Sequence, residues 1–349
     1  MTRARGLVFA AAAVGMSAAA ALLAAEFVVR WRAEESFGAA WRSWFRTPAP
    51  HSELATGSLL EADAELGFRF NRRLPGVNSI GIRNPEIRMP KPQGVFRLIV
   101  LGDSVAAPVD GFVGLLGEQL RSRGVEVINA AVGGYTTYQE RQLLERDLLP
   151  TRPDLVVLQY CVNDHHQFLH RFQTQERMLM TEEARRTLLP EGSGLRAWLA
   201  RRSYLVFRAQ VVLLRLTAPG RYPWENAVDV GPAWQDESWP AFEQHLSAMD
   251  AALGRIGARL AVVMPPFEPQ LEASGPGHDA AYVLKPQRKM AEICARVGAP
   301  LLDLYPILEH HGGPALFADQ YHLKPAGHRV AARALEEFLI RRDLIRSKQ

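Results

Sequence analysis

Three side chains in this sequence have the types and spacing needed to activate a hydroxyl group for attack on a carbonyl carbon. Ser104 ends the segment Gly102-Asp103-Ser104, directly after an apolar run. Far along the chain, Asp319 stands three residues before His322, so one short loop can present both groups. In such a set the carboxylate fixes the imidazole tautomer while the imidazole accepts the serine proton. The pattern predicts nucleophilic catalysis with Ser104 as nucleophile, His322 as base and Asp319 as orienting acid.

Each of these residues also has an ordinary structural explanation. A serine between a strand and a helix is commonly an N-cap, and His322 and His328 could be surface histidines beside a helix start. The segment after Ser104 also lacks the Gly-x-Ser-x-Gly elbow of the α/β-hydrolases, because Ala106 stands where the last glycine belongs. A different serine-hydrolase geometry is therefore required.

Two further segments could supply donors for the oxyanion that acyl transfer creates. Gly134 lies in a segment that begins at Asn129, and a glycine lets a backbone N–H approach a substrate without interference from a Cβ atom. Asn163 follows another apolar run, and its side-chain amide is a second possible donor. Both residue types are also common in turns, so the order of the segments is more informative than either residue.

The elements that must position these residues alternate between apolar strands and helices. This alternation predicts a parallel sheet with helices on both faces. Ser104 is expected to end the first strand and to begin a helix that reaches Leu120. The predicted strands are Phe96–Leu101, Val125–Asn129, Asp154–Tyr160, Arg259–Met264 and Pro300–Leu304. The later predicted helices are Tyr138–Leu149, Trp239–Ile256, Tyr282–Val297 and Pro325–Arg341.

The four segments, taken in order, resemble the sequence blocks of the SGNH (GDSL) hydrolases, over roughly residues 94 to 345. The resemblance implies a flavodoxin-like three-layer α/β/α sandwich with a five-stranded parallel sheet and no metal or organic cofactor. It also implies that the N–H groups of Ser104 and Gly134 and the side chain of Asn163 form the oxyanion hole, and that Ser104, Asp319 and His322 are catalytic. Residues 68–81 are similar to an extension that precedes this domain in many membrane-bound bacterial members.

One position departs from the family pattern. The block that usually reads Gly-x-Asn-Asp has Cys161 in place of its glycine, which could narrow the site beside Asn163. Cys161 itself is not expected to be the nucleophile, since the Ser104 and His322 segments already account for that chemistry. The chain has two cysteines, and the other, Cys294, also lies in an apolar segment, so a disulfide framework is not expected.

Composition excludes several classes of protein. The 349 residues are 48% hydrophobic and 22% charged, as in ordinary globular proteins, so extensive disorder is not expected. The net charge of +4 is small, and the basic residues are spread along the chain apart from one arginine-rich stretch within residues 195–216, so nucleic acid is not expected as a partner.

The amino terminus predicts a membrane association. An apolar run from Leu7 to Val29, broken only by Glu26, follows Arg3 and Arg5 and is long enough to cross a bilayer. Either an uncleaved anchor within residues 1–32 or a cleaved signal would export the rest of the chain, and the length of the run favours the anchor. A buried alanine-rich helix is the remaining alternative. We expect a single-pass protein of the cytoplasmic membrane with a periplasmic or extracellular domain, or a secreted protein if the signal is cleaved.

The rest of the chain divides into two further parts. Residues 33–93 contain many prolines and no sustained period, and we interpret them as a stalk with an irregular extension. Residues 94–345 form the predicted hydrolase domain, with an insertion at about 168–238. Within the insertion, residues 195–216 predict a basic amphipathic helix, which could lie on a membrane, cap the active site or pack on the core.

These features predict a serine esterase that hydrolyses acyl esters, O-acetyl or other short-chain groups, on an extracytoplasmic glycan, lipid or envelope polymer. An O-acyltransferase of envelope polysaccharide would use the same acyl-enzyme, so the residues leave this alternative open. A non-catalytic glycan-binding or scaffold protein is a third possibility. All three predicted catalytic residues are present, and this argues against it.

Overall fold

A computed structural model describes residues 13–28, 59–165, 205, 222, 224–225, 230–273 and 277–345. Five strands form a parallel sheet: β3 (Phe96–Leu101), β4 (Val125–Asn129), β5 (Leu155–Gln159), β6 (Arg259–Met264) and β7 (Leu301–Asp303). Their spatial order is β4-β3-β5-β6-β7, which is the flavodoxin-like order. The five predicted strands are confirmed, and β5 and β7 are each one residue shorter at both ends than the sequence pattern predicts.

Alternate residues of each strand enter opposite layers of the core, because side chains in a strand point to the two faces of the sheet in turn. In β3, Leu98 and Val100 face one layer, and Ile99 and Leu101 face the other; all four are buried. Both faces are therefore apolar and need helices to cover them. This is the three-layer arrangement that the resemblance implies.

The first face is covered by α1 (Phe112–Leu120), α7 (Tyr305–His311) and α8 (Pro325–Arg341). The second face is covered by α2 (Thr137–Leu143), α3 (Trp239–Gly254) and α6 (Lys285–Val297). Two short helices, α4 (Glu268–Glu272) and α5 (Ala280–Val283), precede α6. The prediction of α8 is confirmed at both ends, where Pro325 suits the first turn because its missing N–H would have no partner there.

Two predicted helices differ in detail. The predicted helix from Tyr138 to Leu149 is regular only as far as Leu143, and the chain continues through a π-helical turn, Leu144–Leu148. The predicted helix from Tyr282 to Val297 is divided into α5 and α6 at Leu284. Pro286 explains this break, because a proline has no N–H to continue the preceding helix.

Part of the segment interpreted as a stalk is ordered structure. β1 (Leu60–Asp63) and β2 (Gly67–Phe70) form an antiparallel hairpin, and its side chains Leu66, Phe68 and Phe70 are buried in the core of the second face. The sequence shows little periodicity here because each strand has four residues. We refer to residues 59–93 as the N-terminal extension.

Residues 13–28 form a helix, and the other residues of the predicted membrane span lie outside the described part of the chain. Among the described residues, no helix combines the length and the apolar character that crossing a membrane requires. Apart from Leu205, residues 195–216 also lie outside the described part.

Arg97 joins three segments at the edge of the sheet opposite the carboxyl ends of the strands. Its side chain is fully buried, and its Nε donates to Glu126 Oε2 at 2.6 Å. The guanidinium also donates to the carbonyl oxygens of Thr151 and Arg88. A buried charge is tolerated only when its donors are used, so these contacts fix the start of β3 against β4 and the extension.

We expect Arg97→Leu to lower the free energy of unfolding by about 2 to 4 kcal/mol, because it leaves the Thr151 and Arg88 carbonyl groups without their donor. Urea denaturation followed by circular dichroism measures this change. Arg121→Leu is the control, since Arg121 is exposed and its loss should alter stability by less than about 0.5 kcal/mol. Equal effects of the two substitutions would contradict this account of Arg97.

Candidate active site

Ser104 lies in a turn that follows β3, at the carboxyl edge of the sheet. Asp103 stabilises this turn: its Oδ1 accepts the N–H of Val105 at 2.9 Å, and its carbonyl accepts the N–H of Ala107 at 3.0 Å. The prediction that Ser104 begins a helix is wrong, because α1 begins eight residues later, at Phe112. Pro108 lacks the N–H that a continuing helix would need, and this explains the break.

The turn is also held from below by Gln159, the last residue of β5. Gln159 is fully buried, and its Oε1 accepts the N–H of Asp103 at 3.3 Å. A Cβ atom on Gly102 would lie 2.5 Å from the same oxygen. Glycine is therefore required at position 102 because the Gln159 side chain occupies the space beside it.

Asp319 and His322 lie on a closed loop between α7 and α8. Phe317 and Leu323 form an antiparallel bridge at its base, and Ala318 N–H donates to the His322 carbonyl at 2.7 Å. At the tip of the loop, the N–H of Glu268, the first residue of α4, donates to the Gln320 carbonyl at 2.9 Å. The loop is thus fixed at its base and at its tip.

The structure brings Ser104, His322 and Asp319 into one hydrogen-bonded chain. Ser104 Oγ is 2.9 Å from His322 Nε2, and His322 Nδ1 is 2.7 Å from Asp319 Oδ2. With the proton on Nδ1 directed at Asp319, Nε2 has a free lone pair directed at the serine hydroxyl. The Ser104 hydroxyl therefore contacts a base, as a nucleophile requires, and His322, although partly exposed, is not merely a surface histidine.

Asp319 is held in its ionised form by hydrogen bonds. Partial burial raises the pKa of Asp319, but the backbone N–H groups of His322 and Tyr321 and the His322 side chain outweigh this effect and lower it below its ordinary value. Both N–H groups reach Oδ1 at 2.9 Å. The carboxylate is therefore charged at neutral pH and can stabilise a positively charged imidazole beside it.

The predicted oxyanion donors follow β4 and β5 at the same edge of the sheet. Gly134 has φ of +85°, a conformation that suits glycine, and a Cβ atom on its neighbour Gly133 would lie 3.6 Å from Ser104 Cβ. Asn163 lies in a turn that Asp164 closes by accepting the N–H of Cys161 at 3.1 Å. Ser104, Gly134 and Asn163 therefore follow three adjacent strands, β3, β4 and β5, and all lie at the same edge of the sheet.

Two acids beneath the site are fully buried. Burial raises the pKa of Asp103 above its ordinary value, although the Val105 N–H and the charge of His322 oppose the rise. Burial, followed by the charge of Asp103, raises the pKa of Asp164 well above its ordinary value. Two such carboxyl groups cannot both ionise without large cost, so we expect them to hold at least one proton near neutral pH.

Several positioning residues were missed by the sequence analysis. Gln159 gives a usable signal, since it is a polar residue at the end of an otherwise apolar strand. His328 gives a weaker one: it is buried at the start of α8, where its Nδ1 accepts the N–H of Phe112, the first residue of α1, at 3.1 Å. The suggestion that His328 is a surface residue is therefore wrong.

Cys161 is buried beside the site, and burial raises the pKa of its thiol well above the ordinary value. A thiol with a raised pKa is a poor nucleophile at neutral pH. In the described residues, no group of three or more His, Cys, Asp or Glu side chains is arranged to bind a metal.

Three of the solved structures to which this chain is similar are TesA, a lipase/acylhydrolase and an acetylxylan esterase. The crystal structure of TesA is 20% identical, with 70% of this chain and 97% of that chain covered and a TM-score of 0.41. A lipase/acylhydrolase from Enterococcus faecalis is 16% identical, with coverages of 73% and 100% and a TM-score of 0.43. A catalytic mutant of Axe2, an acetylxylan esterase from Geobacillus stearothermophilus, is 16% identical, with coverages of 70% and 94% and a TM-score of 0.43.

No curated protein sequence matches the chain. A family model does match: it describes the GDSL-like lipase/acylhydrolase family and aligns with residues 100–330, which include Ser104, Gly134, Asn163, Asp319 and His322. This match covers more than half of the chain, and it agrees with the resemblance found in the sequence. The chain therefore belongs to the GDSL-like lipase/acylhydrolase family and is an ester-bond hydrolase of the SGNH type.

Proposed function

We propose that this protein is a serine esterase that removes acyl groups, O-acetyl or other short-chain groups, from an extracytoplasmic glycan, lipid or envelope polymer. The observation that carries the proposal is the continuous hydrogen-bonded chain from Ser104 Oγ through His322 to Asp319, at 2.9 and 2.7 Å. The solvent exposure of the site adds support. The His322 and Asp319 side chains are 39% and 54% exposed, so a substrate can reach the imidazole from solvent.

The proposed reaction has two halves. In the first, His322 Nε2 takes the proton of Ser104 Oγ while the oxygen attacks the ester carbonyl carbon, and the protonated imidazole then gives that proton to the departing alkoxide. In the second half, His322 takes a proton from water, the hydroxide attacks the acyl-serine, and the proton returns to Ser104. Asp319 stabilises the imidazolium in both halves because its hydrogen bonds keep it ionised.

The oxyanion of each tetrahedral intermediate needs donors opposite the attacking serine. We propose the N–H groups of Ser104 and Gly134 and the side-chain amide of Asn163 for this role. Two features support it: a Cβ atom on Gly133 would lie 3.6 Å from Ser104 Cβ, and Gly134 has a positive φ, so a backbone without side chains lies beside Ser104. Such donors act mainly in the transition state, so they should affect kcat more than KM.

We expect a fluorophosphonate probe to label the wild-type protein and to fail to label Ser104→Ala, because the hydroxyl that forms the covalent bond is gone. His322→Ala should reduce labelling by at least about 10²-fold through loss of the base, and Asp319→Asn should lower kcat for p-nitrophenyl acetate by about 10²- to 10⁴-fold. Gel fluorescence and initial rates measure these effects.

Ser122→Ala is the matched control, because Ser122 is exposed and lies between α1 and β4, on the far side of the sheet from the site. Its labelling should equal that of the wild type. If the folded wild-type protein is not labelled, or if Ser104→Ala is labelled as strongly, the proposed nucleophile is wrong and a binding or scaffold role would replace it.

Water and a sugar hydroxyl compete for the same acyl-enzyme. We expect water to win, so that free carboxylic acid is the main product even when a glycan oligosaccharide is added as acceptor. Mass spectrometry of the products with and without the acceptor measures this partition. Acylated oligosaccharide in excess of free acid would instead identify an O-acyltransferase.

We also propose that residues 1–32 anchor the protein in the cytoplasmic membrane with the hydrolase domain outside it. The proposal rests on the apolar run from Leu7 to Val29 and on Arg3 and Arg5 before it, although Arg30 and Arg32 after the run oppose this orientation under the positive-inside rule. We expect the intact mass of protein extracted from membranes to include residues 1–32, and alkaline carbonate washing to leave it in the membrane. A mature mass about 25 residues smaller, with release to the soluble fraction, would show a cleaved signal.

A further inference from the structure

The N-terminal extension contacts the segment that carries Gly133 and Gly134. Tyr135, the residue after Gly134, is buried, and its hydroxyl donates to the Phe68 carbonyl in β2 at 2.7 Å. The rings of Tyr135 and Phe68 meet edge to face, with centroids 5.2 Å apart. Phe68 therefore contacts both the ring and the hydroxyl of Tyr135.

A second contact lies one helical turn further on. Gln139 is fully buried in the first turn of α2, where its Nε2 donates to the Leu66 carbonyl at 2.8 Å and its Oε1 accepts the Thr136 N–H at 3.1 Å. Gln139 thus links the turn of the β1–β2 hairpin to the residue that follows Tyr135. The side chains of Tyr135 and Gln139 therefore both donate to backbone carbonyl groups of the extension.

The extension also reaches the beginning of the same segment. Asn84 Oδ1 accepts the N–H of Asn129 at 3.3 Å, and Asn129 Nδ2 donates to the Ala106 carbonyl, two residues beyond Ser104, at 2.8 Å. Within the segment, Val132 N–H donates to the Gly102 carbonyl at 3.0 Å, and Tyr135 N–H donates to the Val132 carbonyl at 3.0 Å. The residues around Gly133 are therefore fixed between the turn that carries Ser104 and the N-terminal extension.

Glycine residues provide no side chain of their own to hold the backbone in place. Gly133 and Gly134 must nevertheless keep a fixed distance from Ser104, because a donor to an oxyanion is effective only when its position is set in advance. The neighbouring residues have to supply this rigidity. Tyr135 is adjacent to Gly134, and its side chain is held by Phe68 of the N-terminal extension, so it can keep the neighbouring backbone rigid.

We propose that the N-terminal extension is part of the catalytic apparatus: it positions the Gly133-Gly134 backbone against Ser104, and Tyr135 is the positioning residue through which the β1–β2 hairpin acts. The proposal rests on the function proposed above, in which Gly134 donates to the oxyanion. Residues 59–93 then determine turnover as well as stability.

The test compares Tyr135→Phe with wild type in the full-length protein, with p-nitrophenyl acetate as substrate. The phenylalanine keeps the ring contact with Phe68 and removes the hydroxyl that binds its carbonyl. We expect kcat to fall by about 10-fold while KM changes by less than about twofold, because the loosened backbone weakens contacts made in the transition state. Amide hydrogen exchange of residues 132–136 should become faster.

Tyr305→Phe is the matched control. Tyr305 is buried on the opposite face of the sheet, and its hydroxyl donates to Glu309 Oε1 at 3.1 Å, so the substitution also removes one hydroxyl from a buried tyrosine. It should lower Tm by a few degrees at most, as Tyr135→Phe should, but leave kcat within about twofold of wild type. A purely structural role for Tyr135 predicts the same pattern in both variants.

Asn84→Ala provides a second variant if Tyr135→Phe does not fold, since it removes the contact between the extension and Asn129 at the start of this segment. We expect kcat to fall about threefold with KM unchanged. Unchanged kcat and unchanged exchange in the folded variants would overturn the proposal. An inactive, unlabelled wild type would instead reject the proposed function, and the exchange rates of residues 132–136 would still test the positioning role.

Discussion

The hydrogen bond between Ser104 Oγ and His322 Nε2 joins residues that are 218 positions apart in the sequence. A bond of 2.9 Å between two side chains on loops forms only if both loops are rigid and the layers that carry them are packed together. The turn that carries Ser104 is fixed by β3 and Gln159, and the loop that carries His322 is fixed by its bridge at the base and by α4 at the tip. The sandwich therefore provides the common frame for two local structures that are each stable.

The core of the second face contains a buried acidic side chain without hydrogen bonds in the part of the chain that the structure describes, which is costly in free energy and uncommon in protein cores. Glu140 is fully buried in α2, and among the described residues neither of its carboxyl oxygens has a hydrogen-bond partner. Burial, followed by the charges of Asp164 and Asp103, raises the pKa of Glu140 well above its ordinary value. A neutral acid is much less costly to bury than a carboxylate, so Glu140 is expected to stay protonated at neutral pH. Glu140 can therefore remain buried in this core because its raised pKa favours the neutral form.

The contacts of the N-terminal extension change how the division of the chain is understood. The sequence pattern separates residues 33–93, a stalk with an irregular extension, from the hydrolase domain, whereas Leu66, Phe68 and Ile82 of the extension belong to the same core as the helices of the second face. Arg146, which follows α2, binds Asp63 through both of its terminal nitrogens, at 2.7 and 3.1 Å. A truncation at residue 93 would expose this part of the core.

The sequence by itself determined the five strands to within a residue at each end and the order of the four segments, and it predicted Ser104, Asp319 and His322 as the candidate catalytic residues. It could do so because apolar strands, turn glycines and the Asp-x-x-His spacing are patterns of residues that are close together in the sequence. Only the tertiary structure decided where α1 begins, why Gly102 must be glycine, and that Gln159, His328 and Tyr135 hold the site. Those features depend on contacts between residues distant in the chain, such as Tyr135 with Phe68, and no local period records which distant groups will meet.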